Sequence, residues 1–380
     1  MTKNETAPAP DVTSRWLGIV AAYALLHALA WAILPLAIHA VQPADNYEQL
    51  RWAQHLAWGY DKHPPFPTIL LWLFERVFPA GIPLTYALGG LQVITMLVAT
   101  WWITRPLLDG KRALLAVLFV SCVTYYANRL HYYNHNTALL MACALSAACA
   151  FKAAQTGKWT WYSLLGIAWG LGLLSKYQMV IAIACDLIFL WWVAGHELRK
   201  LIARLTIASC ACALVVAPHF FWLVDNHFPS FQYAAKFVAA NLPWGRRPAD
   251  IVGFLLDQAL RFGPLGGLLL ILGRFKSVRA AAARALPARD ASPLAAPFLA
   301  IHAWGPLALM SSLSLLFGTN LQMHWGTAFI WTIPIWFLRT PFGKAVATLP
   351  MRTLFIAVVF LQFVMLFVFA ERGASRLFGF

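Results

Sequence analysis

Charge is scarce in this chain: Asp, Glu, Lys and Arg make up 11% of its 380 residues, where an ordinary soluble domain carries about a quarter. With 61% hydrophobic residues, that scarcity excludes a water-soluble globule as the main body. Acids are fewest, 14 against 29 Lys and Arg, for a formal net charge of +15. Six cysteines (Cys122, Cys143, Cys149, Cys185, Cys210 and Cys212) lie inside apolar runs without a CxxC pair, which excludes a disulfide framework and a cysteine metal site. No repeat of a 20–50 residue period is visible, which excludes a solenoid. The apolar runs are too long for barrel strands and lack strict alternation, so lipid-crossing backbone must be helical. The expected fold class is all-α, a polytopic integral membrane protein.

What is present is a series of long apolar runs. About eleven are long enough to span: 16–38, 83–105, 113–128, 136–154, 161–175, 177–194, 201–224, 250–273, 294–317, 324–338 and 352–370. The first exceeds a signal-peptide core and lacks a small-residue cleavage site, so it is expected to stay as an anchor. The polar stretch Met1 to Ser14 before it is expected to be disordered, residues 1–15 forming a cytoplasmic N-terminus ahead of a transmembrane domain, 16–380. The run 66–78 is too short to cross and is bracketed by Pro64, Pro65 and Pro79. It is expected to lie along the surface as an interfacial helix within a first loop, 39–82. No soluble C-terminal domain is expected, and 274–293 reads as a cytoplasmic linker.

Most Lys and Arg residues, among them Arg274, Lys276, Arg279, Arg284 and Arg289, fall in one alternate set of connections. Such an excess marks the cytoplasmic side. The N-terminus is therefore expected inside and the first loop outside, and topology explains the basic charge without a nucleic-acid partner.

The first loop is unusually polar. Asp45, Glu48 and Asp61 stand among Tyr47, Arg51, His55, Tyr60 and His63, ending in Pro64-Pro65. If its middle is helical, Tyr47, Arg51 and His55 share one face. Carboxylates beside imidazoles suit acid and base work on hydroxyls, and aromatics suit stacking on sugar rings. A solvated loop with an interfacial tryptophan belt accounts for the same composition. The connection from Asn128 to Asn136 is also expected outside and carries His131, Tyr133, Asn134, His135 and Asn136. His131 and His135 stand four apart, a spacing that on a helix holds a metal with Asp45 or His55 completing the shell. Hydrogen-bonded interfacial histidines are the commoner use of such a pair, so no divalent metal is assigned.

The run Asp45 to Pro65 resembles the first-loop signature of the GT-C membrane glycosyltransferases. The closest likeness is to the family of protein O-mannosyltransferases and bacterial lipid A aminoarabinose and galacturonic acid transferases. Asn134 to Leu140 and Gly157 to Tyr177, ending Leu174-Ser175-Lys176-Tyr177, match the same family in order. The resemblance implies transfer of a sugar from a polyprenyl phosphate, undecaprenyl phosphate in a bacterial inner membrane, to an acceptor at the periplasmic face. A lipid A, lipopolysaccharide or other envelope glycan is the expected acceptor. It assigns Asp45 the catalytic role, with Glu48 beside it, and agrees with Lys176 and Tyr177 as donor-phosphate ligands. Many relatives resembling the chain carry aspartate where Asn136 stands.

Asp257 and Arg261 are four apart within an apolar run, where an ion pair is costly and marks function; Arg261 is a candidate for the carrier phosphate, and a neutralised pair holding helices together accounts for the same spacing. Arg246 and Arg247 lie in an aromatic segment suited to an anionic acceptor or to phospholipid. Substrate binding is expected from Tyr47, Arg51, His55, Tyr60, His63, His131, Tyr133, Asn134, Asn136, Arg246 and Arg247. The alternative is a transporter or flippase of lipid-linked sugars. Carriers of that kind place substrate groups near the midplane on broken helices with repeats, which the sequence lacks.

Overall fold

The computed structural model describes residues 12–38, 43–238, 241–284 and 292–378. Its first helices are α1 (Val12–Ile38), α2 (Ala44–Gln54), α3 (Phe66–Phe74), α4 (Ile82–Leu107), α5 (Gly110–Ser121), α6 (Tyr125–Asn128) and α7 (His135–Thr156). Then follow α8 (Trp159–Leu173), α9 (Met179–Ala194), α10 (Leu198–Asp225), α11 (Pro229–Val238), α12 (Arg247–Leu260), α13 (Gly263–Gly273) and α14 (Lys276–Arg284). The last are α15 (Ala295–Phe317), α16 (Ile333–Phe337), α17 (Pro341–Val346) and α18 (Met351–Phe378). Among the described residues there is no strand.

Local chemistry sets several boundaries. Asn134 caps α7 by accepting from the Asn136 and Thr137 amides, and Gly157 ends that helix with φ 64°, a left-handed conformation that glycine adopts at no steric cost. Asp109 caps α5 by accepting from the Arg112 amide. Around the buried α7, α4 packs on one side and α8 on another, α1 rests on α4, and α9 meets α15. Exposed Leu, Ile and Phe side chains along α1, α10 and α18 give these helices apolar outer faces suited to lipid.

Among the described residues six helices are long and apolar enough to cross a membrane alone: α1, α4, α7, α10, α15 and α18. A seventh span arises if α12 and α13, bent by 59° between Leu260 and Gly263, count as one. The other expected spans are shorter helices or are broken. The segment 113–128 is interrupted after Ser121, and 324–338 is not a spanning helix. It folds as 3-10 turns Met323–Ala328 and Ile330–Thr332 followed by α16. Its hydrophobicity serves burial against protein, since Ile330 and Trp331 are fully covered.

The expected disorder from Met1 to Ser14 is corrected at its end, because Val12 to Ser14 already belong to α1; residues 1–11 and 39–42 lie outside the described residues. The expected interfacial helix 66–78 is helical only over Phe66–Phe74. Within the 274–293 linker, Lys276–Arg284 is helical, and 285–291 lies outside the described residues.

The α8–α10 contact depends on glycine. A Cβ on Gly166 would come 2.0 Å from the Ala208 carbonyl oxygen, and one on Gly170 would come 2.6 Å from Val215. Two backbones approach this closely only without side chains between them. Gly166→Ala is expected to destabilise the fold by ~1–3 kcal/mol, seen as an earlier thermal transition of the detergent-solubilised protein.

Candidate active site

The first loop is built around a buried amide. Asn46 is fully covered and donates to Thr85 Oγ1 (2.7 Å) and the His131 carbonyl (2.9 Å), while its own oxygen accepts from the Tyr133 amide (3.2 Å). The start of α2 is thereby pinned to α4 and to the segment before α7. Gln49 adds a second tie, accepting from Thr68 on α3 (2.8 Å). Further bonds join the outer segments: the Phe66 amide donates to the Leu174 carbonyl (2.8 Å), and the Tyr133 hydroxyl to the Pro67 carbonyl (2.6 Å).

Asp45, next to the pinned Asn46, stands in the first turn of α2, where the helix dipole favours a carboxylate. Its Oδ2 accepts from Asn134 Nδ2 (2.8 Å). Because Asn134 spends its oxygen on capping α7, its amide nitrogen is held pointing at Asp45. Two residues beyond this cap, Asn136 Oδ1 accepts from Lys176 Nζ (2.8 Å). Asp45 and Lys176 thus meet across the N-terminus of α7, in one cavity of about 900 Å³.

Cations crowd this cavity. Lys62, Arg129, Lys176 and Arg261 line it with His63, His135 and His324, facing the carboxylates Asp45 and Glu48. Glu48 is committed to Lys62 at 2.6 Å, which raises the Lys62 pKa first through that hydrogen bond. Arg261 donates to Asp257 through Nε at 2.9 Å and Nη2 at 2.5 Å. Burial pulls the Lys176 ammonium down to about 8, with the Asp45 carboxylate opposing that fall. Burial, then the charges of Lys176 and Lys62, holds His63 down to about 3. Burial, Lys176 and Arg261 hold His324 down to about 4. Both imidazoles are therefore neutral near pH 7, while Lys176 stays mainly charged beside a neutral amide. A lysine paired only with an amide keeps its charge available to an anion.

The cavity is not lined by polar groups alone. Val180, Ile181, Phe231, Val238, Met310, Leu313 and Leu321 also line it. Charged and apolar side chains therefore share one space, a lining suited to an amphiphile.

The candidates from sequence divide clearly. Asp45, Glu48, His63, Asn134, His135, Asn136, Lys176, Tyr177 and Arg261 line the cavity; the others do not. Tyr47, Arg51 and His55 lie on the exposed side of α2 and its C-cap, because the buried stripe of that helix is Asn46, Gln49 and Ala53. Tyr60 stacks on Trp52 (4.5 Å) and donates to the Trp52 carbonyl (3.2 Å), folding the loop back on α2. His131 packs against Tyr86, Tyr132 and Phe369, and Tyr133 is buried. Arg246 is exposed, and Arg247 is spent on the carbonyls of Leu242 and Leu315 (2.8 Å each) and on Trp244.

Helical spacing does not hold between His131 and His135, since 131–134 is not helical. Among the described residues no three His, Cys, Asp or Glu side chains are grouped to hold a metal ion. The Asp257–Arg261 pair is likewise not within a straight span: Arg261 ends α12 at its break and opens on the cavity.

Sequence reasoning missed Lys62, Tyr132, Tyr233 and His324 as cavity residues. The signal for Lys62 was its place directly before His63-Pro64-Pro65. His324 was hidden by an apolar run taken as a span. Asp186 and His302 do serve as a pairing contact between α9 and α15 (3.0 Å), joined by Trp169 at 2.8 Å.

Residues 62–222 match the family described as dolichyl-phosphate-mannose-protein mannosyltransferase. A lipopolysaccharide core galacturonosyltransferase of Rhizobium johnstonii, RgtA, is 29% identical over 60% of this chain and 45% of its own length. An undecaprenyl phosphate-alpha-4-amino-4-deoxy-L-arabinose arabinosyl transferase of Erwinia tasmaniensis is 24% identical over 41% of this chain and 34% of its own length. The matched stretches thus span less than half the length of these relatives. Among solved structures, ArnT of Cupriavidus metallidurans bound to undecaprenyl phosphate superposes with a TM-score of 0.63 at 16% identity, covering 89% of this chain and 61% of ArnT. At that identity the likeness is one of fold.

Proposed function

We propose that the chain is a GT-C membrane glycosyltransferase that transfers a sugar from a polyprenyl phosphate, undecaprenyl phosphate in bacteria, to a glycolipid or envelope-glycan acceptor, a reading that its family match and its fold likeness support. The cavity is assigned to the periplasmic face, with the N-terminus cytoplasmic. A single observation carries this reading: Asp45 and Lys176, 131 positions apart in a polytopic chain, line one cavity that cations and apolar side chains share. The apolar side chains suit a prenyl tail, and the cations suit its phosphate. The relatives' named activities, on lipopolysaccharide core and from an undecaprenyl phosphate sugar, point the same way.

In the proposed reaction an acceptor oxygen attacks the anomeric carbon and the bond from that carbon to the phosphate oxygen breaks. The leaving polyprenyl phosphate gains negative charge, which Lys176 and Arg261 stabilise as preorganised cations. For a hydroxyl acceptor Asp45 takes the proton. An acceptor that is already ionised needs no base, and Asp45 then orients it and offsets developing positive charge on the sugar. Whether the sugar is a hexose or a pentose is left to the assay, in which purified protein receives polyprenyl-phosphate sugars and envelope glycolipids. Labelled glycolipid that forms only with active protein supports the proposal; none with any donor and acceptor pair rejects it.

The Lys176 pKa sets a pH limit. The donor phosphate binds the protonated amine, so affinity is level below about 8 and falls as pH rises through that value. Bound phosphate raises the pKa of the amine, so the fall continues above 8 until the complex itself deprotonates. Lys176→Arg, whose guanidinium stays charged, is expected to flatten this limb when undecaprenyl phosphate binding is measured from pH 7 to 10.

A further inference from the structure

Tyr177 faces the cavity with its ring, but its hydroxyl is engaged elsewhere. It is hydrogen-bonded to His219 Nε2 on α10 (2.8 Å) and to Ser230 Oγ on α11 (2.5 Å). His219 Nδ1 in turn meets the Trp58 carbonyl at 2.6 Å. A carbonyl only accepts, so Nδ1 carries a proton. In a neutral ring Nε2 is then the acceptor, the Tyr177 hydroxyl donates to it, and Ser230 donates to the Tyr177 oxygen. Each direction follows from the one before. His219 and Ser230 are both buried, where a broken link leaves an unpaired polar group at a cost.

This chain of bonds joins four separate segments: the first loop at Trp58, α10 at His219, the α8–α9 connection at Tyr177 and α11 at Ser230. The loop end is fixed independently, since Gly59 lies flat on the Trp222 ring and a Cβ there would come 2.2 Å from it. The α11 end is different. That helix hangs from two consecutive left-handed non-glycine residues, His227 (φ 61°) and Phe228 (φ 58°), a junction that costs backbone energy and persists only when its surroundings hold it. It lines the cavity with Phe231 and Val238, and Phe231 stacks on Tyr177 at 4.3 Å.

We propose that His219, Tyr177 and Ser230 form a latch that fastens α11 against the cavity, positioned by the Trp58 carbonyl, and that its release opens the cavity to a lipid-borne substrate. The latch rests on the glycosyl-transfer reading only for the substrate's identity. His219 and Ser230 are positioning residues that act through Tyr177. Breaking the latch weakens retention of the lipid substrate without removing a reacting group.

The test uses full-length protein carrying Ala235→Cys on α11 and reads maleimide labelling with and without undecaprenyl phosphate. Tyr177→Phe keeps the ring and loses both bonds, and Ser230→Ala loses one. Both are expected to label about tenfold faster than the parent, with undecaprenyl phosphate protecting the parent more strongly. In transfer assays Ser230→Ala raises the donor KM and leaves kcat within about threefold. Combining them adds little, because each breaks the same chain. Labelling at parental rate in Ser230→Ala protein with an unchanged melting temperature overturns the latch. Absence of any transfer by the parent would defeat the functional proposal and leave the labelling result standing.

Discussion

Asp45→Asn is expected to lower the turnover of sugar transfer to a hydroxyl acceptor by about 10²- to 10⁴-fold, the usual contribution of a positioned general base. The substitution is close to isosteric, and the new amide oxygen can still accept from Asn134 Nδ2, which the α7 cap holds in place. Asn46 continues to pin α2 to α4. Geometry is therefore preserved while the negative charge and the proton-accepting oxygen are lost. Donor affinity is expected to stay level or rise slightly, since a carboxylate that opposed the phosphate has gone. Single-turnover transfer measured beside undecaprenyl phosphate binding separates the two effects. A variant within threefold of the parent removes Asp45 from the chemistry.

Lys176→Met is expected to weaken donor binding by about 10- to 100-fold, the range for loss of one charge-assisted hydrogen bond. Methionine fills the lysine stem but leaves Asn136 Oδ1 without its donor and the phosphate without its cation. Lys62 and Arg261 do not replace it, because each already faces a carboxylate, Glu48 and Asp257 respectively. An equilibrium titration with undecaprenyl phosphate reads the loss. Equal affinity in the variant transfers the phosphate role to Arg129 or Arg261.

The all-helical membrane fold was legible because apolar runs of spanning length leave no other way to satisfy the backbone in lipid. Asp45, Asn134 and Lys176 were legible because they sit in three short polar texts at the ends of such runs. Hydropathy failed at 324–338, where an apolar segment is buried in protein; Gly326 and Pro334 interrupt it, and His324 opens into the cavity. Helical periodicity failed in α2, grouping Tyr47, Arg51 and His55 correctly on one face without revealing that this face is the solvent side. The face that matters was set by Asn46, a polar residue whose burial depends on partners in α4 and before α7. Arg247 resembled an anion ligand and instead closes the end of α15, capping the Leu315 carbonyl. Such assignments follow from tertiary partners, which spacing along one segment does not encode.

The account depends on Asp45 and Lys176 opening on one water-filled space at the periplasmic face. Single cysteines at these two positions, treated in intact cells or sided vesicles with a membrane-impermeant thiol reagent, test this directly. Both are predicted to react from the periplasmic side, and undecaprenyl phosphate is predicted to shield the Lys176→Cys site. Reaction of the two from opposite sides of the bilayer would contradict it.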